Sequence, residues 1–271
     1  MRISAISYLN TAPLMWDFEH DNTESFEIAY TTPSQCAREL QTGAADIGII
    51  PAAAYASIPG LSIIPGVAIA SKQPVRSILL VSPKTIDDIS TVALDSSSLT
   101  SVALTRVLFE KFWGGTRDFR SRPPDLDAML AENDAALLIG DPALQIDRSR
   151  YYTWDLAEEW LSHTGKPFVF AFWAVRDEAA RASSLDLAAL FQKSRDHGLE
   201  PANLRQITQS WSAKLNLPIE ALHAYLTENI FYYLDEPCLE GLLLFYTYAH
   251  ECKALPPAPE LTFAKPSPAL I

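Results

Sequence analysis

Hydrophobic positions in the first half of the chain form short apolar runs, separated by segments with helical spacing. Runs of strand length cover residues 2–8, 26–31, 45–50, 61–70 and 76–81. Thr32 and Pro33 suit a helix start and Gly43 suits a helix end, which predicts a helix over residues 33–42. Strands that alternate with helices in this way predict parallel βαβ units.

A second unit of the same kind begins near residue 82. Its predicted strands cover residues 91–94, 117–121, 135–139 and 167–175. Beyond residue 177 the spacing becomes helical as far as about residue 253, with breaks near Gly198, Pro218 and Pro237. The proline-rich tail that follows predicts an extended strap or a disordered end.

These patterns predict an α/β protein with two lobes and a helical C-terminal region. We expect the first lobe to combine residues 1–83 with residues 176–271, and the second lobe to be an insertion over residues 84–175. Ligands of open α/β sheets bind beyond the carboxyl ends of the strands. The candidate site should therefore lie where the predicted strands end.

Composition and charge exclude several classes of protein. The 271-residue chain has a formal charge of −12, so nucleic acid is not an expected partner. Membrane insertion is not expected, because no window approaches the roughly 20 continuous apolar residues of a membrane helix. The N-terminus lacks the features of a signal peptide, which predicts a cytoplasmic protein. The three cysteines and five histidines are scattered, which predicts neither a disulfide framework nor a metal cofactor.

Two strand exits carry polar groups that could contact a ligand. Residues 95–101 (DSSSLTS) place five hydroxyls and one acid ahead of a helix, a pattern that suits an anion. An ordinary helix cap would explain only one of these hydroxyls, and the pattern alone leaves both interpretations open. At the first exit, Asn10 precedes Thr11-Ala12-Pro13 and is explained equally well by local turn chemistry.

Five segments together resemble the chorismate dehydratases of menaquinone biosynthesis by the futalosine route. They are SYLNTAPL, TTPSQCARELQTGAADIGIIPAAAY, VRSILLVS, LDSSSLTSVALTRVLF and LLIGDPAL, in order over about residues 2–175. The resemblance implies a type II periplasmic-binding-protein architecture that closes on its ligand. It also implies dehydration of chorismate to 3-[(1-carboxyvinyl)oxy]benzoate without a metal or an organic cofactor.

The resemblance also implies the residues of the site. It places Asn10 and Ser77 nearest the chemistry, as the candidate catalytic residues. It implies that Ser98, Thr100 and Ser101 bind a substrate carboxylate and that Pro51, Ala52 and Gly140 line the wall of the site. Ser7 and Asp141, which lie at predicted strand exits, complete the predicted substrate-binding residues.

The chemistry favours a positioning role for Asn10. Aromatisation of the ring supplies much of the driving force, so the enzyme needs chiefly positioning, a proton acceptor and help for the leaving hydroxide. An amide is a poor base. We therefore expect Asn10 to orient the substrate, and a water or the substrate's own enolpyruvyl carboxylate to take the proton.

Two alternative functions remain open from the sequence. The dihydroxynaphthoate synthase of the same pathway shares the fold but uses a cleft histidine, and no histidine here lies at a predicted strand exit. A solute-binding protein for small anions would share the fold without catalysis, but such proteins are exported or lipid-anchored. The sequence does not predict an oligomeric state.

Overall fold

The computed structural model describes residues 1–21 and 26–265, which form two five-stranded sheets flanked by helices. The first sheet has the order β2-β1-β3-β10-β4, with β1 at Arg2–Ile6, β2 at Glu27–Thr31, β3 at Ile47–Pro51, β4 at Leu61–Ser71 and β10 at Phe168–Arg176. The second sheet has the order β7-β6-β8-β5-β9, with β5 at Ile78–Ser82, β6 at Thr91–Asp95, β7 at Asp118–Arg122, β8 at Ala135–Ile139 and β9 at Tyr152–Asp155.

The chain changes sheet earlier than the sequence pattern predicts. The predicted boundary after residue 83 would leave β5 in the first lobe, but β5 pairs with β8 and β9 in the second sheet. The boundary after residue 175 would put β10 in the second lobe, but β10 pairs with β3 and β4 in the first. The two connections between the sheets are therefore residues 72–77 and the segment that precedes Phe168.

The sheets are mixed rather than purely parallel as expected. β1, β2 and β3 run parallel to one another, as do β6, β7 and β8. β10 runs antiparallel to both of its neighbours, and so does β5. β5 enters the second sheet directly from β4 of the first, without the crossover helix that a parallel connection needs, whereas α7 lies between β9 and β10.

In the described residues as far as β10, the strands are accompanied by the α-helices α1 (Trp16–His20), α2 (Pro33–Thr42), α3 (Ala52–Tyr55), α4 (Thr100–Lys111), α5 (Leu126–Glu132), α6 (Gly140–Leu144) and α7 (Leu156–Thr164). The bounds predicted for α2 are confirmed, and Gly43 ends it in the left-handed conformation with φ 76°. Thr32 occupies the N-cap position but makes no side-chain capping bond.

The C-terminal region is helical, as predicted, and packs on the first sheet. It comprises α8 (Asp177–Ala182), α9 (Leu187–Gly198), α10 (Pro201–Leu215), α11 (Ile219–Ala224), a π-helical turn (Tyr225–Asn229) and α12 (Glu236–Glu251). The side chains of Trp160 in α7, Phe172 in β10 and Phe245 in α12 are fully buried in one shared hydrophobic core. None of the helices in residues 1–21 and 26–265 is both long and apolar enough to cross a membrane.

The tail forms the expected strap as far as it is described. Ile63 of β4 donates its N–H to the Thr262 carbonyl at 2.7 Å and accepts from the N–H of Ala264 at 2.8 Å. The last predicted tail residues, 266–271, lie outside the described residues.

Candidate active site

A narrow cleft lies between the two sheets, where the carboxyl ends of β1, β3, β6 and β8 meet. Residues from both sheets line it, among them Tyr8, Asn10, Pro51, Ser98, Ser101 and Gly140. The free volume inside is about 50 Å³, far below the 300–1,000 Å³ of typical ligand pockets. A wider groove of about 480 Å³ lies outside it between α2, α3 and α4. Ligands of such sheets bind at strand exits, so the cleft is the better candidate despite its size.

Asn10 reaches the cleft from a 3₁₀ helix, not from a simple turn. β1 ends at Ile6, two residues earlier than predicted, and Leu9–Met15 forms the 3₁₀ helix. Asn10 is half-buried and lines the cleft, and its Oδ1 accepts a hydrogen bond from Thr11 Oγ1 at 3.3 Å. The amide keeps further hydrogen-bonding capacity for a ligand.

Asp141 joins the two sheets instead of lining the cleft. Its Oδ1 accepts a hydrogen bond from the Leu9 N–H at 3.0 Å, between α6 of the second sheet and the segment after β1 of the first. The side chain is buried, and this burial raises the pKa of Asp141 to about 6 against the lowering effects of the Leu9 hydrogen bond and Lys214. The geometry makes Asp141 an inter-lobe contact.

Gly140 packs directly against Tyr8 across the same boundary. Its φ is +63°, and a Cβ built there would lie 2.7 Å from ring atoms of Tyr8. Glycine is required here both by the left-handed backbone and by the close approach of the ring. Gly140, which the resemblance implies as part of the wall of the site, therefore lines the cleft and leaves room for the Tyr8 ring.

Some hydroxyls of residues 95–101 are engaged by hydrogen bonds within the protein, and others are free to donate to a ligand. Thr100 Oγ1 accepts from the Ala53 N–H at 3.0 Å and donates to the Phe170 carbonyl at 2.9 Å, so its hydroxyl proton is already used. Ser98 Oγ accepts from the Ser101 N–H at 3.3 Å. Within the described chain, the hydroxyl protons of Ser98 and Ser101 have no acceptor, and both residues line the cleft.

Asp95 fixes the beginning of this loop. The carboxylate is fully buried, and its Oδ1 accepts from the Ser97 N–H at 2.8 Å and from Ser97 Oγ at 2.7 Å. Its Oδ2 finds no hydrogen-bond partner in the part of the chain that is described. Burial raises the pKa of Asp95, which the hydrogen bonds from Ser97 oppose.

Ser77 lies at the connection between the sheets and has an unexpected partner. It is fully buried, and the phenol of Tyr225 donates a hydrogen bond to its Oγ at 2.8 Å. Ser77 does not itself line the cleft, although Val75 and Ile78 on either side of it do. Sequence reasoning missed Tyr225, since nothing in its helical surroundings marks it and 148 positions separate the two residues.

The other predicted substrate-binding residues occupy different places. Pro51 ends β3 and lines the cleft. Ala52 is fully buried behind it, and its carbonyl accepts a hydrogen bond from the phenol of Tyr246 at 2.8 Å. Ser7 is exposed outside the cleft lining, and its N–H donates to the Thr31 carbonyl at 3.3 Å.

The described cleft lining contains no charged side chain and no histidine. Any anion bound there would be held by neutral donors and by the N-terminal end of α4, whose dipole favours negative charge. Among the described residues, no group of three or more potential ligands could hold a metal ion.

Comparison with known proteins identifies the family. A family model described as "Menaquinone biosynthesis" matches residues 1–251. The chain belongs to this family. This member of the menaquinone biosynthesis family is 28% identical over 270 residues to a chorismate dehydratase of Thermus thermophilus, with 93% of this chain and 94% of the relative covered.

Solved structures confirm the predicted architecture of this family member. A protein of Archaeoglobus fulgidus, AF1704, superposes with a TM-score of 0.71 at 16% identity, covering 94% of this chain and 98% of its own. The periplasmic aliphatic sulphonate binding protein SsuA of Escherichia coli superposes with a TM-score of 0.67 at 16% identity, covering 98% and 92%. At these identities the likeness establishes the periplasmic-binding-protein-like fold alone.

Proposed function

We propose that this member of the menaquinone biosynthesis family is a hydro-lyase that dehydrates chorismate to 3-[(1-carboxyvinyl)oxy]benzoate. The observation that carries the proposal is the relationship over 93% of the chain to a protein named chorismate dehydratase. The cleft adds support, because Asn10, Ser98 and Ser101 meet there although they come from different sheets.

The reaction breaks two bonds that join ring carbons of chorismate to their substituents, and the ring becomes aromatic. The C3–H bond gives up its proton, and the C4–O bond breaks so that hydroxide leaves and takes up a proton to become water. The required groups are a proton acceptor near C3 and hydrogen-bond donors near the C4 oxygen. No cofactor is needed to balance this step.

Asn10 and Ser77 are our candidates for the groups nearest the ring. The amide of Asn10 would orient the substrate, while the enolpyruvyl carboxylate, or a water that it holds, accepts the proton. Ser77 would donate to the departing hydroxyl or to a carboxylate. Ser77 directly precedes Ile78 in the chain, and Ile78 lines the cleft.

Ser98, Ser101 and the N-terminal end of α4 are our candidates for binding a carboxylate. Both hydroxyls have protons to donate, and α4 has 12 residues, which suffices for an end charge that favours anions. Thr100 would contribute by holding the loop in place, because its hydroxyl already accepts one hydrogen bond from the protein and donates another to it.

Substrate entry requires the cleft to open. The free volume of about 50 Å³ is too small for a dianion with a six-membered ring, so the sheets must move apart. Such a motion would break the contact of Leu9 with Asp141 and that of Ala53 with Thr100. The connections between the sheets, at residues 72–77 and before Phe168, are where it would bend.

Incubation of the protein with chorismate tests the proposed function. We expect the ultraviolet absorbance of chorismate to change and mass spectrometry to reveal a product lighter by one water molecule. Recovery of intact chorismate, with binding measured by calorimetry, would contradict the proposal. It would favour an anion-binding protein, which the likeness to a sulphonate-binding fold makes the second candidate.

The alternative reaction, that of a dihydroxynaphthoate synthase, has less support. Its expected cleft histidine has no counterpart, since His20, His163, His197, His223 and His250 all lie in helices away from the described cleft lining. A cytoplasmic location accords with a role in biosynthesis and stays a prediction, which cell fractionation tests.

A further inference from the structure

Three hydrogen bonds join the π-helical turn Tyr225–Asn229 to the end of β4 and to the first connection between the sheets. Ser71 Oγ donates to the Asn229 carbonyl at 3.0 Å, and Asn229 Nδ2 donates to the Pro74 carbonyl at 2.9 Å. The third is the bond from the Tyr225 phenol to Ser77 Oγ at 2.8 Å. Single π-helical turns occur often at functional sites. This turn fixes the backbone that carries Ser77 and also reaches its hydroxyl.

The second sheet holds the same connection from the opposite side. The carboxylate of Asp155 accepts hydrogen bonds from the N–H groups of Val75 and Arg76, at 3.1 and 2.6 Å. Arg76 has φ 64°, a left-handed backbone that is uncommon for a residue with a side chain. The carbonyl of Ser77 accepts a hydrogen bond from the Gly140 N–H at 2.7 Å. The backbone of Ser77 is thereby fixed, and only its hydroxyl orientation is left to be set.

Tyr225 sets that orientation. A phenol has one proton, and Tyr225 donates it to Ser77 Oγ, so the serine must direct its own proton elsewhere. Burial raises the pKa of the Tyr225 phenol, which keeps it protonated and able to donate.

The donor direction leaves the proton of Ser77 available. Tyr225 donates to Ser77, so Ser77 would be able to donate to the substrate once the cleft has opened. Hydrogen bonds arranged in series polarise one another, so the terminal O–H of Ser77 becomes a stronger donor.

We propose that Tyr225 is a positioning residue that orients Ser77 for catalysis. The proposal rests on the proposed function, in which Ser77 acts on chorismate. Tyr225→Phe removes one oxygen, keeps the ring, and releases the Ser77 hydroxyl to other orientations. Loss of one buried hydrogen bond in such a chain should lower kcat by about tenfold to a hundredfold, with little change in KM.

The test is a double-mutant cycle on chorismate turnover with the full-length protein. We expect Tyr225→Phe and Ser77→Ala each to lower kcat. The double variant should be no slower than Ser77→Ala by more than about threefold, because Tyr225 acts mainly through that serine. A variant with 3-fluorotyrosine at position 225 keeps the phenol and should retain kcat to within about threefold, which separates loss of the hydroxyl from a folding defect.

Tyr232→Phe is the matched control. The phenol of Tyr232 is also buried in the C-terminal region, but its oxygen finds no hydrogen-bond partner among the described residues. We expect this variant to keep the kcat and KM of the wild type. Thermal unfolding of every variant tests whether a lowered kcat reflects misfolding.

The possible outcomes separate this inference from the proposed function. An active wild type with unchanged kcat in Tyr225→Phe would overturn the inference alone, as would effects of Tyr225→Phe and Ser77→Ala that simply multiply. A wild type that leaves chorismate intact would overturn the proposed function, and the positioning role with it.

Discussion

At the scale of single residues, the candidate site depends on a few polar groups whose partners are fixed by geometry. Asn10 presents an amide to the cleft, and Gly140 makes room for the Tyr8 ring beside it. The surrounding lining is uncharged in the described chain, so hydrogen bonds rather than ion pairs would orient a substrate. Two substitutions test these roles separately.

Asn10→Ala should lower chorismate turnover by about a hundredfold, because it removes the amide that orients the substrate. Asn10→Asp should also be slower, since a carboxylate cannot donate a hydrogen bond and would repel a dianion. Steady-state kcat and KM of both variants provide the measurement. Turnover of Asn10→Asp equal to or above that of the wild type would favour a direct base role and exclude the orienting one.

Gly140→Ala should destabilise the protein by about 2–4 kcal/mol, because the new methyl group must displace Tyr8 as well as adopt a left-handed backbone. Gly165→Ala is the matched control, with φ +68° and open space around the new Cβ. It should cost only the backbone term, about 1–2 kcal/mol. Urea unfolding measures both, and equal losses would contradict the packing role of Gly140.

At the scale of elements, the loop before α4 forms hydrogen bonds to the first sheet and also presents hydrogen-bond donors to the cleft. Its sequence suggests one polar surface, but the fold assigns Asp95, Ser97 and Thr100 to protein contacts. Of the described hydroxyls in this loop that line the cleft, only those of Ser98 and Ser101 keep their protons for a ligand. The beginning of α4 is thereby tied to α3 and β10 of the other sheet.

Thr100→Val should destabilise the substrate-free protein by about 1–3 kcal/mol, because it leaves the Ala53 N–H and the Phe170 carbonyl buried without their partner. Thr100→Ser keeps the hydroxyl and should recover most of the loss. Thermal or urea unfolding without chorismate is the measurement. Unchanged stability of Thr100→Val, with weaker chorismate binding, would instead support the direct substrate contact that the resemblance implies.

At the scale of the whole molecule, a few contacts hold the two sheets together around a nearly closed cleft. One of them is the bond from Leu9 to Asp141, whose burial makes the carboxylate form unfavourable. Since the pKa of Asp141 is raised to about 6, the folded state holds a proton there that the unfolded state, with an ordinary pKa near 3.8, has lost. Stability should therefore fall as pH rises through this interval.

Asp141→Asn should remove that contribution to the pH dependence while keeping an acceptor for the Leu9 N–H. Between about pH 4 and pH 6.5, the wild type should lose on the order of 2–3 kcal/mol of unfolding free energy relative to the variant. Above pH 6.5 the difference should stay constant. Urea unfolding across this range measures it, and parallel curves for the two proteins would contradict the inter-lobe role of a buried carboxylate.

The sequence by itself determined much of the framework. Apolar runs located every described strand except β9, which was not predicted, and Thr32, Pro33 and Gly43 located α2 with its observed bounds. These signals are local, since caps and periodicity act within a few residues. The resemblance of residues 7–13 to a known family directed attention to Asn10, which lines the cleft.

Only the tertiary structure decided which groups meet. The pairing of Tyr225 with Ser77, the commitment of Thr100 and the contact of Asp141 with Leu9 join residues 148, 70 and 132 positions apart. Such contacts depend on how the two sheets are placed against each other and on the π-helical turn, which no local pattern records. Strand pairing also displaced the predicted lobe boundaries after residues 83 and 175, because it joins residues distant along the chain and assigns β5 to the second sheet and β10 to the first.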